Sequence, residues 1–301
     1  MMLRMSEVGP TPAVETTRSG FGEFRRLVAV MSRRWVVVGG LIVIGVLVMI
    51  AVFAPLVAPS DPYEQNLKAM LAQPSKSHLL GTDELGRDLL SRVIYGARVS
   101  LLVGIVAVSI AGTLGMGLGL VAGYFGGIPN TLIMRFTDAL LSLPPLVLML
   151  AITAVLGGGL FNVLLALGIS MMPTYCRLMC GQVATLKANE YIAAARAMGA
   201  KDFRIMSRHL LPNAFPPILV LLSINLGTAI MMEASLSFLG IGIQPPTATW
   251  GAMVSSGYRF LLTNPLMSFA PGCAILLVVL AFNMAGDGLR DALDPRLRGI
   301  V

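Results

Sequence analysis

Residues 189–213 read NEYIAAARAMGAKDFRIMSRHLLPN, a polar, basic island set between two long apolar segments. Asn189 is placed to cap a helix with Tyr191, Ala194 and Met198 on one face. Gly199 supplies a stop, and a second amphipathic helix carries Phe203, Met206 and Leu210 on one side until Pro212 closes it. Helix, glycine, helix and proline in that order predict a built projection that something else grips. Its surroundings decide the fold. The chain has 301 residues, 56% hydrophobic and 12% charged, whereas a soluble domain carries about 25% charged residues, so it reads as an integral membrane protein.

Outward from the island, apolar runs predict six spanning helices at 35–57, 99–122, 132–156, 160–179, 216–239 and 266–285. At about 1.5 Å per residue such runs cross a hydrocarbon core of about 30 Å. The fold class is an all-α polytopic membrane protein. The first run is longer than a signal peptide's apolar stretch and reads as an uncleaved helix. It follows a tail at 1–34, disordered at its start and basic at Arg25, Arg26, Arg33 and Arg34. Residues 58–98 form a polar loop with five basic and five acidic residues. Its second half reads as an amphipathic helix at the membrane surface, with Leu85, Leu89, Val93 and Ala97 on one side and Arg87, Asp88, Arg92 and Arg98 elsewhere and solvated. Residues 99–286 form a five-helix core that includes a loop at 180–213, and 287–301 form a second tail.

Basic residues set the orientation. Placing the N-terminus in the cytoplasm puts 16 of the 22 Lys and Arg inside, among them the island's and those of both tails. The net charge of +7 is thereby read as topology rather than as a nucleic-acid footprint. In the second span Ala111, Gly115, Gly119 and Gly123 recur every four residues, a stripe that lets another backbone approach closely, whether in this chain or in another subunit. Pro144 with Pro145, and Pro271 with Gly272, predict kinks inside spans. Cys176, Cys180 and Cys273 lie in or beside apolar runs and suggest no disulfide framework; Cys176 with Cys180 reads as one helical turn of core and not as a metal site, since no histidine or carboxylate nearby in sequence completes one.

Several chemistries lack their residues. There is no G-x-x-x-x-G-K-[ST] phosphate loop, no H-E-x-x-H and no G-x-S-x-G, so no catalytic residue is assigned and no cofactor is expected on this chain. His78 and His209 fall on opposite sides of the predicted membrane. Asp138 and Arg177 fall near span ends; Glu233 is the main ionisable residue inside a span, near its outer end. Two readings of Glu233 stay open: it lines a polar cavity, or it is solvated or paired with Arg259 at the interface. With Ser223, Asn225, Thr228 and Asn283 it makes the candidate set for a transport pathway, the alternative being hydrogen bonds between helices.

The island also resembles the cytoplasmic loop signature E-A-A-x3-G-x9-I-x-L-P of permease subunits of bacterial ABC importers, with Ala194, Ala195, Gly199, Leu211 and Pro212 in register. Ala193 stands where that signature has glutamate and His209 where it has isoleucine. Together with GTDELGRDLLSRVIYGARVSL at 81–101, RFTDALLSLPPL at 135–146 and EASLSFLGIG at 233–242, the chain looks like the C-type permease of the dipeptide, oligopeptide and nickel importer group over residues 36–299. The resemblance implies a type I importer in the bacterial inner membrane, with both termini cytoplasmic. A second permease subunit completes the pathway, two cytoplasmic ATPases use ATP and Mg, and an extracytoplasmic binding protein delivers a peptide. It implies an ATPase-coupling role for Glu190, Tyr191, Ala194, Ala195, Arg196, Met198, Gly199, Lys201, Phe203, Arg204, Leu211 and Pro212. In this picture Tyr191, Ala194 and Met198 bury in an ATPase groove, and Arg196, Lys201 and Arg204 meet acids at its rim. Nickel or glutathione import is the alternative within the class. A stand-alone carrier or channel, or a membrane scaffold, is the alternative outside it.

Overall fold

The computed structural model describes residues 34–293, which leaves the expectations for the tails at 1–33 and 294–301 outside the described residues. The elements are α1 (Trp35–Val52), α2 (Ala54–Val57), α3 (Leu89–Phe125), α4 (Gly127–Leu141), α5 (Pro145–Leu156), α6 (Leu160–Lys187), α7 (Glu190–Ala197), α8 (Asp202–Ile205), a π-helical turn (Met206–Leu210), α9 (Leu211–Phe238), α10 (Trp250–Tyr258) and α11 (Leu266–Leu293). Five helical stretches are long and apolar enough to cross a membrane: α1, α3, α6, the run Asp202–Phe238 and α11.

The remaining predicted span, 132–156, is instead broken. α4 and α5 meet at 93°. Leu143 and Pro144 each precede a proline, whose ring drives the residue before it out of the α region, and Pro144 is extended at ψ 137. Pro145 then opens α5, where its missing N–H costs no helical bond. The kink expected inside one helix is thus a corner between two. The first span likewise ends early, breaking at Phe53 just before Pro55.

A larger correction concerns 58–98. No separate surface helix forms there: Leu89 to Phe125 is one helix of 37 residues, about 55 Å long. Asp88 caps it, accepting from the Ser91 backbone N–H at 2.8 Å, and holds His78 Nδ1 at 2.9 Å. Arg87, Asp88 and Arg92, expected to be solvated, are buried. The reason is mutual pairing: Asp83 accepts from Arg87 Nε at 2.6 Å and lies 3.4 Å from Arg92 Nε, and Arg92 donates to the Pro62 carbonyl at 3.1 Å. Paired, hydrogen-bonded charges tolerate burial that lone ones do not. They bind residues 58–88 into a folded cap over the start of α3, and Trp250 of α10 joins it by donating from Nε1 to the Val93 carbonyl at 2.9 Å.

The small-residue stripe finds its partner inside the chain, on α6. A Cβ built on Gly115 would stand 2.6 Å from the Met172 carbonyl oxygen and 2.6 Å from Tyr175 Cβ; on Gly123 it would stand 2.8 Å from both the Cys180 oxygen and Val183 Cβ. Gly119 faces the Cys176 carbonyl in the same way. Ala111 is fully buried at the head of the stripe. Cys176 and Cys180 lie along this seam as free thiols, and no group of three or more metal-binding side chains occurs among the described residues.

Candidate functional site

The island lies at the end of the bundle where α3 stops, α6 stops and α9 begins. α7 ends in a Schellman motif: Gly199 N–H bonds the Arg196 carbonyl at 2.9 Å, and Ala200 N–H bonds Ala195 at 3.1 Å. The motif needs a left-handed residue, and Gly199 has φ +81 with nothing within 4 Å of where a Cβ would stand. Backbone conformation alone therefore selects glycine here. Asn189 takes the N-cap backbone position but its side chain makes no capping bond.

One face of the projection is keyed into the bundle. Ile192, Ile205 and Leu210 are buried in one core with Tyr175, Met179 and Val183 of α6, and Ala195 is buried as well. Tyr124 of α3 joins the pieces. Its hydroxyl donates to Asp202 Oδ1 at 2.5 Å and accepts from Arg196 Nη2 at 3.2 Å, while its carbonyl accepts from Lys187 Nζ at 2.5 Å. The Arg196 guanidinium and the Lys187 ammonium each lie 5.5 Å from its ring centroid. One residue thus ties α6, α7 and α8 to α3. Sequence reading missed Tyr124, Lys187 and Asp202, whose only signal was an aromatic at a span end and charges flanking a helix boundary.

The opposite face is open and apolar. Met198 is 82% exposed, Phe203 77% and Tyr191 40%; Ala194, Glu190, Lys201, Arg204 and Pro212 are exposed around them. Lys201, Arg204 and Glu190 make no ion pair among the described residues. Three expectations change. Ala195 faces the core and not the groove, Leu211 is half-buried, and Arg196, although exposed, is engaged by Tyr124 rather than free for a partner. Pro212 does not close the second helix either. It occupies the first turn of α9, where a proline is tolerated, so the helical path runs from Asp202 through the π-turn to Phe238.

The pathway candidates scatter. Asn225 donates from Nδ2 to the Tyr175 hydroxyl at 2.9 Å, a bond between α9 and α6, and Ser223 returns its hydroxyl to the Leu219 carbonyl at 2.9 Å. Thr228 and Asn283 are half-buried on α9 and α11. Glu233 is 1% exposed and makes no ion pair among the described residues, so it is neither solvated nor paired with Arg259. Its Oε1 accepts from Ser237 Oγ at 2.7 Å, and the same hydroxyl accepts from Ile243 N–H at 3.3 Å. Ser237 also lines a cavity of about 190 Å³ with Glu84, Gln244, Ser256 and Arg259, and so stands between that cavity and the carboxylate.

Residues 115–299 match the family model of binding-protein-dependent transport system inner membrane components, and residues 24–74 match the N-terminal transmembrane domain of oligopeptide transport permease C. The chain is 42% identical to the dipeptide transport system permease protein of Alkalihalophilus pseudofirmus, over 96% of this chain and 95% of that one. It is 40% identical to a probable D,D-dipeptide transport system permease protein of Escherichia coli, over 99% of each. A glutathione transport system permease protein of Pectobacterium atrosepticum is 41% identical over 94% of each. Among solved structures, an inward-facing methionine ABC transporter superposes with a TM-score of 0.52 at 20% identity, covering 68% of this chain and 98% of its own, a likeness of fold.

Proposed function

The chain belongs to the family of binding-protein-dependent transport system inner membrane components, and from that premise we propose that it forms half of the translocation pathway of an ATP-driven importer of short peptides. It is a multi-pass permease of the bacterial inner membrane. Its energy enters at the island from separate ATPase subunits that use ATP and Mg, a second permease completes the pathway, and an extracytoplasmic binding protein supplies the peptide. The island and both termini face the cytoplasm, which the excess of Lys and Arg at that end supports.

The observation that carries coupling is the island's division into two faces. Ile192, Ile205 and Leu210 anchor it to α3 and α6, while Tyr191, Met198 and Phe203 stand out uncovered. An apolar patch at the polar end of a membrane protein marks a contact surface. Force on Phe203 passes along a helical path of 37 residues, about 55 Å, to the far end at Phe238. Force on α7 passes through Tyr124 to α3. The π-turn at Met206–Leu210, followed by Pro212, Pro216 and Pro217, is the point in that path with fewest regular backbone bonds, and so the place where it bends.

The peptide class is supported by relatives named for dipeptides, and glutathione, itself a short peptide, is the second reading because a glutathione permease is nearly as similar. The decisive experiment purifies the complex and measures dipeptide uptake into vesicles with ATP and the binding protein. Copurification with two ATPases and ATP-dependent uptake are expected. Uptake by this chain alone, driven by an ion gradient, would instead make it a stand-alone carrier. Calorimetry on the partner binding protein separates dipeptides from glutathione.

A further inference from the structure

An exposed ion pair joins Asp138 of α4 to Arg177 of α6, at 2.5 Å with side chains 49% and 54% exposed. Asp138 is eleven residues along α4 and Arg177 ten from the end of α6, so both lie about 15 Å in from the island end of their helices. α6 is about 42 Å long, and a hydrocarbon core of about 30 Å centred on it places the pair inside that core rather than at its edge. Charges at such depth turn toward protein or a water-filled cavity, not toward lipid.

The neighbours say which. At 100° per residue Thr131, Arg135 and Asp138 share one exposed face of α4, continued by Ser142 at its C-cap, while Leu132 and Phe136 share a second exposed face about 100° away. One helix thus presents a polar stripe and an apolar stripe side by side. Thr174 lies beside Arg177 on the exposed face of α6, which continues through Gly181 and Ala184 without a large apolar side chain. By contrast α1 exposes Leu41, Ile42, Val46 and Met49, a surface suited to lipid. The ion pair joins the stripes of α4 and α6 into a single wall.

We propose that this wall, and not the polar residues of α9, is the water-facing lining of the passage on this subunit, and that the Asp138–Arg177 pair is the site where a zwitterionic short peptide passes. The free carboxylate of the peptide exchanges onto Arg177 and its ammonium onto Asp138, so neither charge is left alone in a low-dielectric surrounding while the substrate moves through. The ligand class rests on the peptide reading above; the lining does not.

The test uses the assembled transporter in nanodiscs, with Cys180→Ser and Cys273→Ser and the buried Cys176 retained. Single variants Thr131→Cys, Ser142→Cys and Thr174→Cys probe the wall, and Leu132→Cys and Phe136→Cys probe the apolar stripe. Because a thiol must ionise in water to react, a charged methanethiosulfonate should modify wall positions at least about tenfold faster than the apolar pair. Equal rates in both sets overturn the lining, whether lipid or the second permease covers it. Dialanine with its binding protein should slow modification at Ser142→Cys and Thr174→Cys, and N-acetyl-dialanine amide, added at the same concentration, should not. Equal protection by both compounds overturns the charge exchange. A reactive wall in a complex that takes up no peptide would leave the lining standing and remove the peptide reading.

Discussion

Gly115 and Gly117 lie two residues apart on α3 and face opposite situations. A Cβ on Gly115 meets the Met172 oxygen and Tyr175 Cβ at 2.6 Å, whereas nothing lies within 4 Å of one on Gly117. Heavy atoms rest at about 3.5–4.0 Å, so Gly115→Ala must part α3 from α6 by about 1 Å. Overpacking of that size costs about 1–3 kcal/mol. Gly117→Ala meets no wall and removes a glycine from a helix interior, which stabilises by about 0.5–1 kcal/mol. Gly115→Ala shares that propensity gain, so the two alanines should differ by the overpacking cost, about 1–3 kcal/mol, with Gly117→Ala the more stable. Thermal unfolding of the purified complex, followed by the loss of its monodisperse peak, reads the difference directly. A functional consequence accompanies it, because α6 leads through Ala188 and Asn189 straight into α7. Gly115→Ala should lower ATP-driven uptake while Gly117→Ala retains it. Equal melting temperatures for the two variants would refute the close-packed seam and with it the path from α6 to the island.

Other perturbations separate the remaining parts. Asp83→Ala leaves Arg87 and Arg92 buried without their carboxylate and should cost about 3–5 kcal/mol, read as earlier proteolysis of the 58–88 cap in intact vesicles. Gly199→Asp should leave the protein in the membrane but uncouple ATP hydrolysis from uptake; Gly199→Val, less tolerant of φ +81, should do so more severely, and normal uptake in both would end the coupling role of this turn. Tyr124→Phe removes the hydroxyl shared by Arg196 and Asp202 and should lower uptake per ATP hydrolysed without changing the amount of complex; an unchanged ratio would show that the anchor does not transmit force.

The sequence by itself determined that the chain is a helical membrane protein, where most spans lie, and that the island is two short helices about a glycine. Each of these follows from local physics: run length, helical period and the left-handed turn that only glycine adopts freely. The apolar exposed face of Tyr191 and Met198 was readable for the same reason. Tertiary structure decided what depends on a distant partner. Arg87, Asp88 and Arg92 read as solvated because a charge's burial is set by its counter-ions, and Asp83 reaches both arginines only once the cap has folded. The stripe at 111–123 carried no sign of its partner, since a small surface invites any close backbone and only packing chose α6. Glu233 stood out as an ionisable residue in a span, yet its burial against Ser237 follows from how residues 239–249 return over α9. Asp138 and Arg177 lie 39 residues apart, and no periodicity links them; only the packing of α4 beside α6 turns an isolated acid and base into one charged wall.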